Sequence, residues 1–172
     1  WEWLLLTAGA VLKIPIDAVY KPQRVPSVDV YLRVARSRFG GNPIPHQTFM
    51  FEVMKRRADV RAYALVADHT PKHNEEKHWT RFLNQDTAFF VGADKIARIL
   101  KAPVIYVAMR REGIGRYSVE LKVLAEPPYD RDSGPEIVER YARNLEEEIR
   151  RSPADWLWIN RKWKYKKPLY AQ

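Results

Sequence analysis

Apolar positions along this chain fall into two rhythms. One has a continuous or three-to-four-residue spacing that predicts helices, and the other has short unbroken runs that predict strands. Trp3 to Lys13 is apolar almost throughout and reads as a buried helix, and Ile16 to Tyr20 reads as a short strand that Lys21-Pro22 ends. Pro26 to Phe39 reads as a helix that Gly40-Gly41 closes, with Val28, Val30, Leu32 and Val34 apolar and Arg33, Arg36 and Arg38 basic. Pro43-Ile44-Pro45 is extended, Phe49 to Arg57 is a short amphipathic helix, and Arg61 to Ala67 is a buried strand. A polar loop is expected from Asp68 to about Asp86, followed by a helix that starts at Ala88 or Gly92 and ends at Lys101. Pro103 to Met109 and Tyr117 to Ala125 read as strands joined by a Gly113-Ile114-Gly115 turn. Ser133-Gly134-Pro135-Glu136 opens a long helix through Arg151, with acids early and Arg150-Arg151 late, as the helix dipole favours. Ser152-Pro153-Ala154-Asp155 starts a last helix by the same capping logic.

Strands alternating with helices predict an α/β domain, with a largely parallel central sheet flanked by helices. No internal repeat, linker or low-complexity tract interrupts it, so residues 1–172 are expected to form a single domain. At 46% hydrophobic and 30% charged residues the composition excludes a disordered chain. The longest apolar run, Trp3 to Leu12, falls short of the ~20 residues needed to span a bilayer. No Cys is present, which removes disulfide and thiolate chemistry.

The net charge of +9 favours an anionic partner such as nucleic acid, anionic lipid, a phosphorylated substrate or an acidic carrier protein. That charge is placed unevenly. No acid follows Asp155, while Arg161, Lys162, Lys164, Lys166 and Lys167 interleave with Trp156, Trp158, Trp163, Tyr165 and Tyr170. Rings and cations in this mixture suit a membrane interface, and they also suit RNA through stacking and phosphate contacts. A further alternative is that the Trp residues pack on the core and the Lys residues are solvated. His69, His73 and His78, with Glu75 and Glu76, raise a metal site, but Pro71 between the first two and the lysines around them favour a solvated loop. No metal is expected. Asp68, closing an apolar strand, is a candidate site acid, and Lys21, Arg36 and Arg38 follow early elements where α/β folds build ligand crevices.

Several motifs occur in the order found in one family. They are Trp1-Glu2-Trp3, Tyr20-Lys21-Pro22, Arg36-Ser37-Arg38-Phe39-Gly40, Ala67-Asp68-His69-Thr70-Pro71, and Trp79 to Ala88 with Phe89-Phe90-Val91-Gly92. The closing stretches, Asn144 to Pro153 and Trp156-Leu157-Trp158-Ile159-Asn160-Arg161-Lys162-Trp163-Lys164, complete the series. Together they resemble the lipid A late acyltransferases of the lysophospholipid acyltransferase superfamily. Two positions depart from that pattern: Asn160 stands where many members carry His, and Asn84 where others carry Gly.

The resemblance implies a glycerolipid-acyltransferase-like fold. It also implies an O-acyltransferase that moves a fatty acyl group from acyl carrier protein to a lipid A precursor or related lipid, without a cofactor and without nucleic acid. It assigns Glu2 the orienting half of a His-Glu dyad, whose His would lie four residues before Trp1 and outside this chain. No His within the chain is followed five positions on by an acid: His46 leads to Phe51, His69 to Asn74, His73 to His78 and His78 to Leu83. The expectation is therefore a piece of a longer enzyme that is inert by itself, with a membrane anchor farther upstream, at the cytoplasmic face of a bacterial inner membrane. Lys21, Arg36, Arg38, Asp68 and Gly92 are expected to bind substrate, and Trp158, Arg161, Trp163 and Lys164 to meet an anionic membrane surface or lipid headgroups. The oxyanion stabiliser is either backbone N–H at a helix start or an Arg of the Arg36/Arg38 pair. The rival readings are a basic module that binds membrane or nucleic acid without catalysis, and a metal hydrolase using the His69–His78 loop.

Overall fold

A computed structural model describes residues 2–130 and 135–168, which form two compact units, 1–66 and 67–172. Trp1, and the Ser133-Gly134 start assigned to the long helix, lie outside the described residues.

The first unit runs α1 (Glu2–Leu12), β1 (Ile16–Tyr20), α2 (Pro26–Arg36), β2 (Gly41–Pro45), α3 (Phe49–Lys55) and β3 (Ala62–Ala64). Each strand is followed by a helix before the next, so the strands pair in parallel, in the order β2-β1-β3. Ile16 lies opposite Gly41 on one side and Ala62 on the other. Leu5, Ile16 and Ala18 form the small core, with Ala8 and Ala62 against it.

Two glycines set the close packing of α1 and of the end of α2. A Cβ on Gly9 would fall 2.0 Å from the carbonyl oxygen of Phe39, and one on Gly41 would fall 2.3 Å from that of Arg36. Backbone approaches backbone directly at both points, which only Gly permits. Three expectations change here. The α1 segment is helical, but Leu5 is its one fully buried described residue, because a helix apolar on every face meets this sheet along one side. Val28, Val30, Tyr31 and Val34 of α2 face outward, and its buried residue is Arg36. The strand expected over Arg61 to Ala67 shortens to three half-buried or exposed residues, as an edge strand paired on one side only.

The second unit contains two hairpins and two helices: β4 (Lys77–Phe82), β5 (Gln85–Phe90), α4 (Gly92–Leu100), β6 (Val104–Gly113), β7 (Arg116–Ala125) and α5 (Glu136–Arg151). The polar loop expected up to Asp86 thus holds a strand and the turn of a hairpin. Leu83 and Asn84 form that turn with φ of 49° and 63°, the left-handed pair that suits a two-residue hairpin. Asn84 replaces the Gly of the related pattern without losing the conformation, since Asn tolerates the left-handed region. A two-residue link can join only antiparallel neighbours, so both strand pairs of this unit are antiparallel. The fold is mixed α/β, with a parallel sheet of three strands in the first unit rather than one large parallel sheet.

In α5 the buried residues Val138, Ala142, Leu145 and Ile149 recur at helical spacing. They pack on Phe82, Phe89, Tyr106, Ala108 and Leu124 from the hairpins. The last helix does not form. A single 3-10 turn, Pro153–Asp155, is followed by an extended Trp156 and tight turns. Its tryptophans are fixed by separate contacts instead, Trp156 and Trp163 packing on the same core.

Candidate functional site

In the first unit the geometry centres on Glu2. Arg36 approaches its carboxylate side-on, with Nε 3.0 Å from Oε2 and Nη2 2.5 Å from Oε1. This is a two-point fork, which fixes the orientation of the carboxylate as well as its position. The Arg36 side chain is buried while that of Glu2 is half exposed, so one face of the carboxylate remains open to a further group. The Gly9 approach holds α1 against Phe39 after α2, and the Gly41 approach folds the chain back onto Arg36, which brings two residues 34 positions apart into contact.

Beneath the guanidinium lies the ring of Tyr20, the last residue of β1, with its centroid 5.6 Å from Arg36 Cζ. The Tyr20 hydroxyl donates to Asp29 Oδ2 at 3.3 Å, and the Gln23 N–H donates to Asp29 Oδ1 at 2.8 Å. Burial raises the Tyr20 phenol above its ordinary value, and the Asp29 charge adds to this. The expected substrate cations do not converge. Arg36 turns inward onto Glu2; Lys21 lines one shallow hollow with Gln23 and Val25, and Arg38 lines another with Val30, Val34 and Pro43.

Asp17 was not picked out from the sequence, yet it is fully buried in the middle of the sheet. It accepts from Asn42 Nδ2 at 2.6 Å, from Arg61 Nη1 at 2.5 Å and from Arg56 Nη1 at 3.3 Å. One acid inside the otherwise apolar Ile16-Asp17-Ala18-Val19 run was the available signal. Its neighbours are cations and an amide that tie β2, α3 and the start of β3 to β1, which makes it a structural centre.

In the second unit Asp68 is half-buried beside Lys162. Lys162 is 2% exposed; its Nζ donates to the carbonyl of His69 at 3.0 Å and sits 3.9 Å from the ring centroid of Phe89. Burial pushes its ammonium down to about 8, with the charge of Asp68 partly opposing. The Thr70 hydroxyl lies 3.1 Å from the carbonyls of both Arg161 and Lys162, and Pro71 is fully buried. The closing segment is therefore fastened to the Asp68–Pro71 loop. Trp163 also faces inward, its Nε1 donating to Thr87 at 2.8 Å, whereas Trp158, Arg161 and Lys164 are exposed. Lys162 thus departs from the run of surface cations that its sequence neighbours suggest, because His69 and Phe89 enclose its ammonium. Gly92 starts α4 after Val91, with open space where a side chain would stand.

The histidines of the His69–His78 loop go separate ways. His78 Nε2 lies 2.5 Å from Glu139 Oε1, and Thr80 holds the other carboxylate oxygen at 2.7 Å. Burial alone would raise the Glu139 carboxyl, but these hydrogen bonds bring it below its usual range. His73 packs edge-on against Tyr165. Among the described residues no three His, Cys, Asp or Glu side chains are grouped to hold a metal ion.

A parallel βαβ unit carrying a carboxylate clamped by arginine, followed by hairpins and an amphipathic helix, belongs to an identifiable class. Residues 10–165 match the family described as bacterial lipid A biosynthesis acyltransferase, and the chain belongs to that family. A relative of Haemophilus influenzae, named lipid A biosynthesis acyltransferase, is 27% identical over 169 residues. The match covers 91% of this chain and 49% of that relative, so the chain spans about half the relative's length.

Proposed function

We propose that the protein carrying this chain transfers a fatty acyl group from acyl carrier protein to a hydroxyl of a lipid A precursor or related lipid, at an anionic membrane surface on the cytoplasmic side of the bacterial inner membrane. The observation that carries this reading is the Glu2–Arg36 fork. Acyl transfer to an alcohol needs a base that takes the hydroxyl proton and a group that holds the base in one tautomer. A carboxylate fixed by a buried arginine and open on one side is suited to the second task. We place the base on a histidine four residues ahead of Trp1, on the strength of the Trp1-Glu2-Trp3 motif. Lys21 and Arg38, exposed at shallow hollows that also hold Arg24 and Arg33 respectively, are suited to phosphate groups of the acceptor or of the donor's phosphopantetheine arm.

A second reading has its own observation. His78 and Glu139 form a His-carboxylate contact within this chain. The test is acyl-carrier-protein-dependent transfer to a lipid A precursor by this chain, by the protein extended through the upstream histidine, and by variants of the latter. The chain alone is expected to be inert, and Glu2→Gln in the extended protein should lower kcat by about 10²–10⁴ with the fold intact. Arg36→Met should act in the same direction. Turnover by the chain alone that His78→Gln abolishes would move the catalytic base to His78 and overturn the assignment of Glu2.

A further inference from the structure

Past the 3-10 turn the backbone closes a tight turn of unusual chemistry. The Asn160 N–H donates to the Leu157 carbonyl at 3.0 Å, which makes Trp158 and Ile159 the two central residues. Such positions ordinarily carry Gly, Pro, Asn or Asp. Here Leu157 is 61% exposed, Trp158 55% and Ile159 84%. Three large apolar side chains at the tip of a turn cost free energy in water, so a turn of this composition suits a surface that removes them from it.

The base of the turn is rigid. Trp156 packs on the core, Lys162 is buried and bonded to His69, Trp163 is bonded to Thr87, and Thr70 holds the carbonyls of Arg161 and Lys162. The one polar group of the Trp158 side chain is already satisfied, since Nε1 donates to the carbonyl of Pro153 at 2.7 Å. That indole can enter a region of low polarity without leaving an unpaired N–H. Exposed cations flank the tip: Arg151 and Arg150, the latter paired with Glu146 at 2.6 Å, before it, and Arg161, Lys164, Lys166 and Lys167 after it. Asp155, the last acid of the chain, lies 3.9 Å from Arg111.

We propose that the Leu157-Trp158-Ile159 turn is a membrane-insertion element, seating its apolar tip at the headgroup–acyl boundary of an anionic bilayer while the flanking cations bind the headgroups. The tip matches a bilayer interface in three respects: an aromatic ring with its polar atom satisfied, two aliphatic side chains beside it, and positive charge on both sides. This deepens the lipid-surface reading above and rests on it, but it is tested without catalysis. Failure here therefore leaves acyl transfer standing, and failure of the Glu2→Gln test leaves this standing.

The experiment measures partition of this chain onto phosphatidylcholine vesicles with and without phosphatidylglycerol. The double variant Leu157→Ser/Ile159→Ser should bind the anionic vesicles about tenfold or more weakly, the worth of two aliphatic side chains moved from water. Lys164→Gln/Lys166→Gln/Lys167→Gln should weaken binding mainly at low salt. Vesicles with brominated acyl chains should quench tryptophan emission of the native chain, and Trp158→Phe should remove that quenching. All substituted positions are exposed, so the urea midpoints of the variants should match that of the native chain. Binding lost in the lysine variant but kept in the Leu157/Ile159 variant would reduce the segment to a surface charge patch and overturn insertion. Absence of vesicle binding, or quenching that survives Trp158→Phe, would overturn it equally. Self-association that the Ser substitutions abolish, without any vesicle effect, would assign the turn to a second copy of the chain.

Discussion

Lys162→Met isolates the energetic consequence of burying a single ammonium. Lys162 is held near 8 in the folded chain against an ordinary 10.5. Below about 8 both folded and unfolded chains carry the proton, and the full burial penalty is present. Between 8 and 10.5 the unfolded chain binds a proton that the folded chain does not. Stability therefore rises with pH in that window, by about 1.4 kcal/mol per pH unit and about 3 kcal/mol in all. Methionine fills a similar volume and does not titrate. At neutral pH it removes the penalty but forfeits the hydrogen bond to His69 and the contact on Phe89, so the variant should fall within about 1.5 kcal/mol of the native chain or exceed it. The informative quantity is the native-minus-variant difference in unfolding free energy, from urea titrations followed by circular dichroism. Taking this difference cancels every other titrating group that the substitution leaves alone. From about pH 7 to about pH 10 it should grow by about 2.5 kcal/mol in favour of the native chain. A difference that stays flat would show that the amine reaches solvent and that the buried geometry is wrong.

Asp17→Asn should destabilise the first unit by about 3–5 kcal/mol in urea unfolding, because Arg56 and Arg61 lose the charge they share. Glu148→Gln tests the ion pair linking α5 to the β6–β7 hairpin, where Arg110 donates to both carboxylate oxygens at 2.7 and 2.6 Å. The Arg110 hydrogen bond, together with its charge, holds the Glu148 carboxyl below the usual range. Its stabilisation is thus present above the unfolded-state value near ~4.3 and is lost as pH falls through the folded value. The variant should lose about 1.5–3 kcal/mol at neutral pH and show a shallower acid arm in a plot of Tm against pH.

Much of the element order was legible because each crossover in the first unit alternates strand and helix with clear punctuation. The strand Ile16 to Tyr20 appears where expected, and so do the helix starting at Pro26 and the long helix ending at Arg151. What failed depended on pairing. The stretch Lys77-His78-Trp79-Thr80-Arg81-Phe82 reads as polar, yet half-burial against α5 and pairing with Gln85 to Phe90 make it a strand. Thr80 and His78 then spend their polar atoms on Glu139 of α5, 59 and 61 residues away. No local pattern carries that information. Glu2 was legible as a site acid through its motif, and Arg36 as a cation of interest. Their contact was not, because it depends on two glycines that matter only when the backbones they face are known.

The closing segment shows why a run of like residues is a poor unit of inference. Read as composition, Arg161 to Lys167 is one basic patch with rings in it. In the structure, neighbouring residues do opposite things: Arg161 points to solvent, Lys162 is sealed under Phe89 and His69, Trp163 reaches Thr87, and Lys164 is exposed again. A buried ammonium and a surface ammonium respond oppositely to neutralisation. Under the membrane-surface proposal, removing the surface charge weakens attraction to anionic lipid, whereas removing the buried one takes away the hydrogen bond to the His69 carbonyl and leaves the outer face as it was. A variant that neutralises the whole run would therefore mix any loss of lipid attraction with the loss of that inner hydrogen bond. Substituting Lys164, Lys166 and Lys167 while keeping Lys162 separates them. The inner contacts then stay in place, and any change in vesicle binding belongs to the outer face alone.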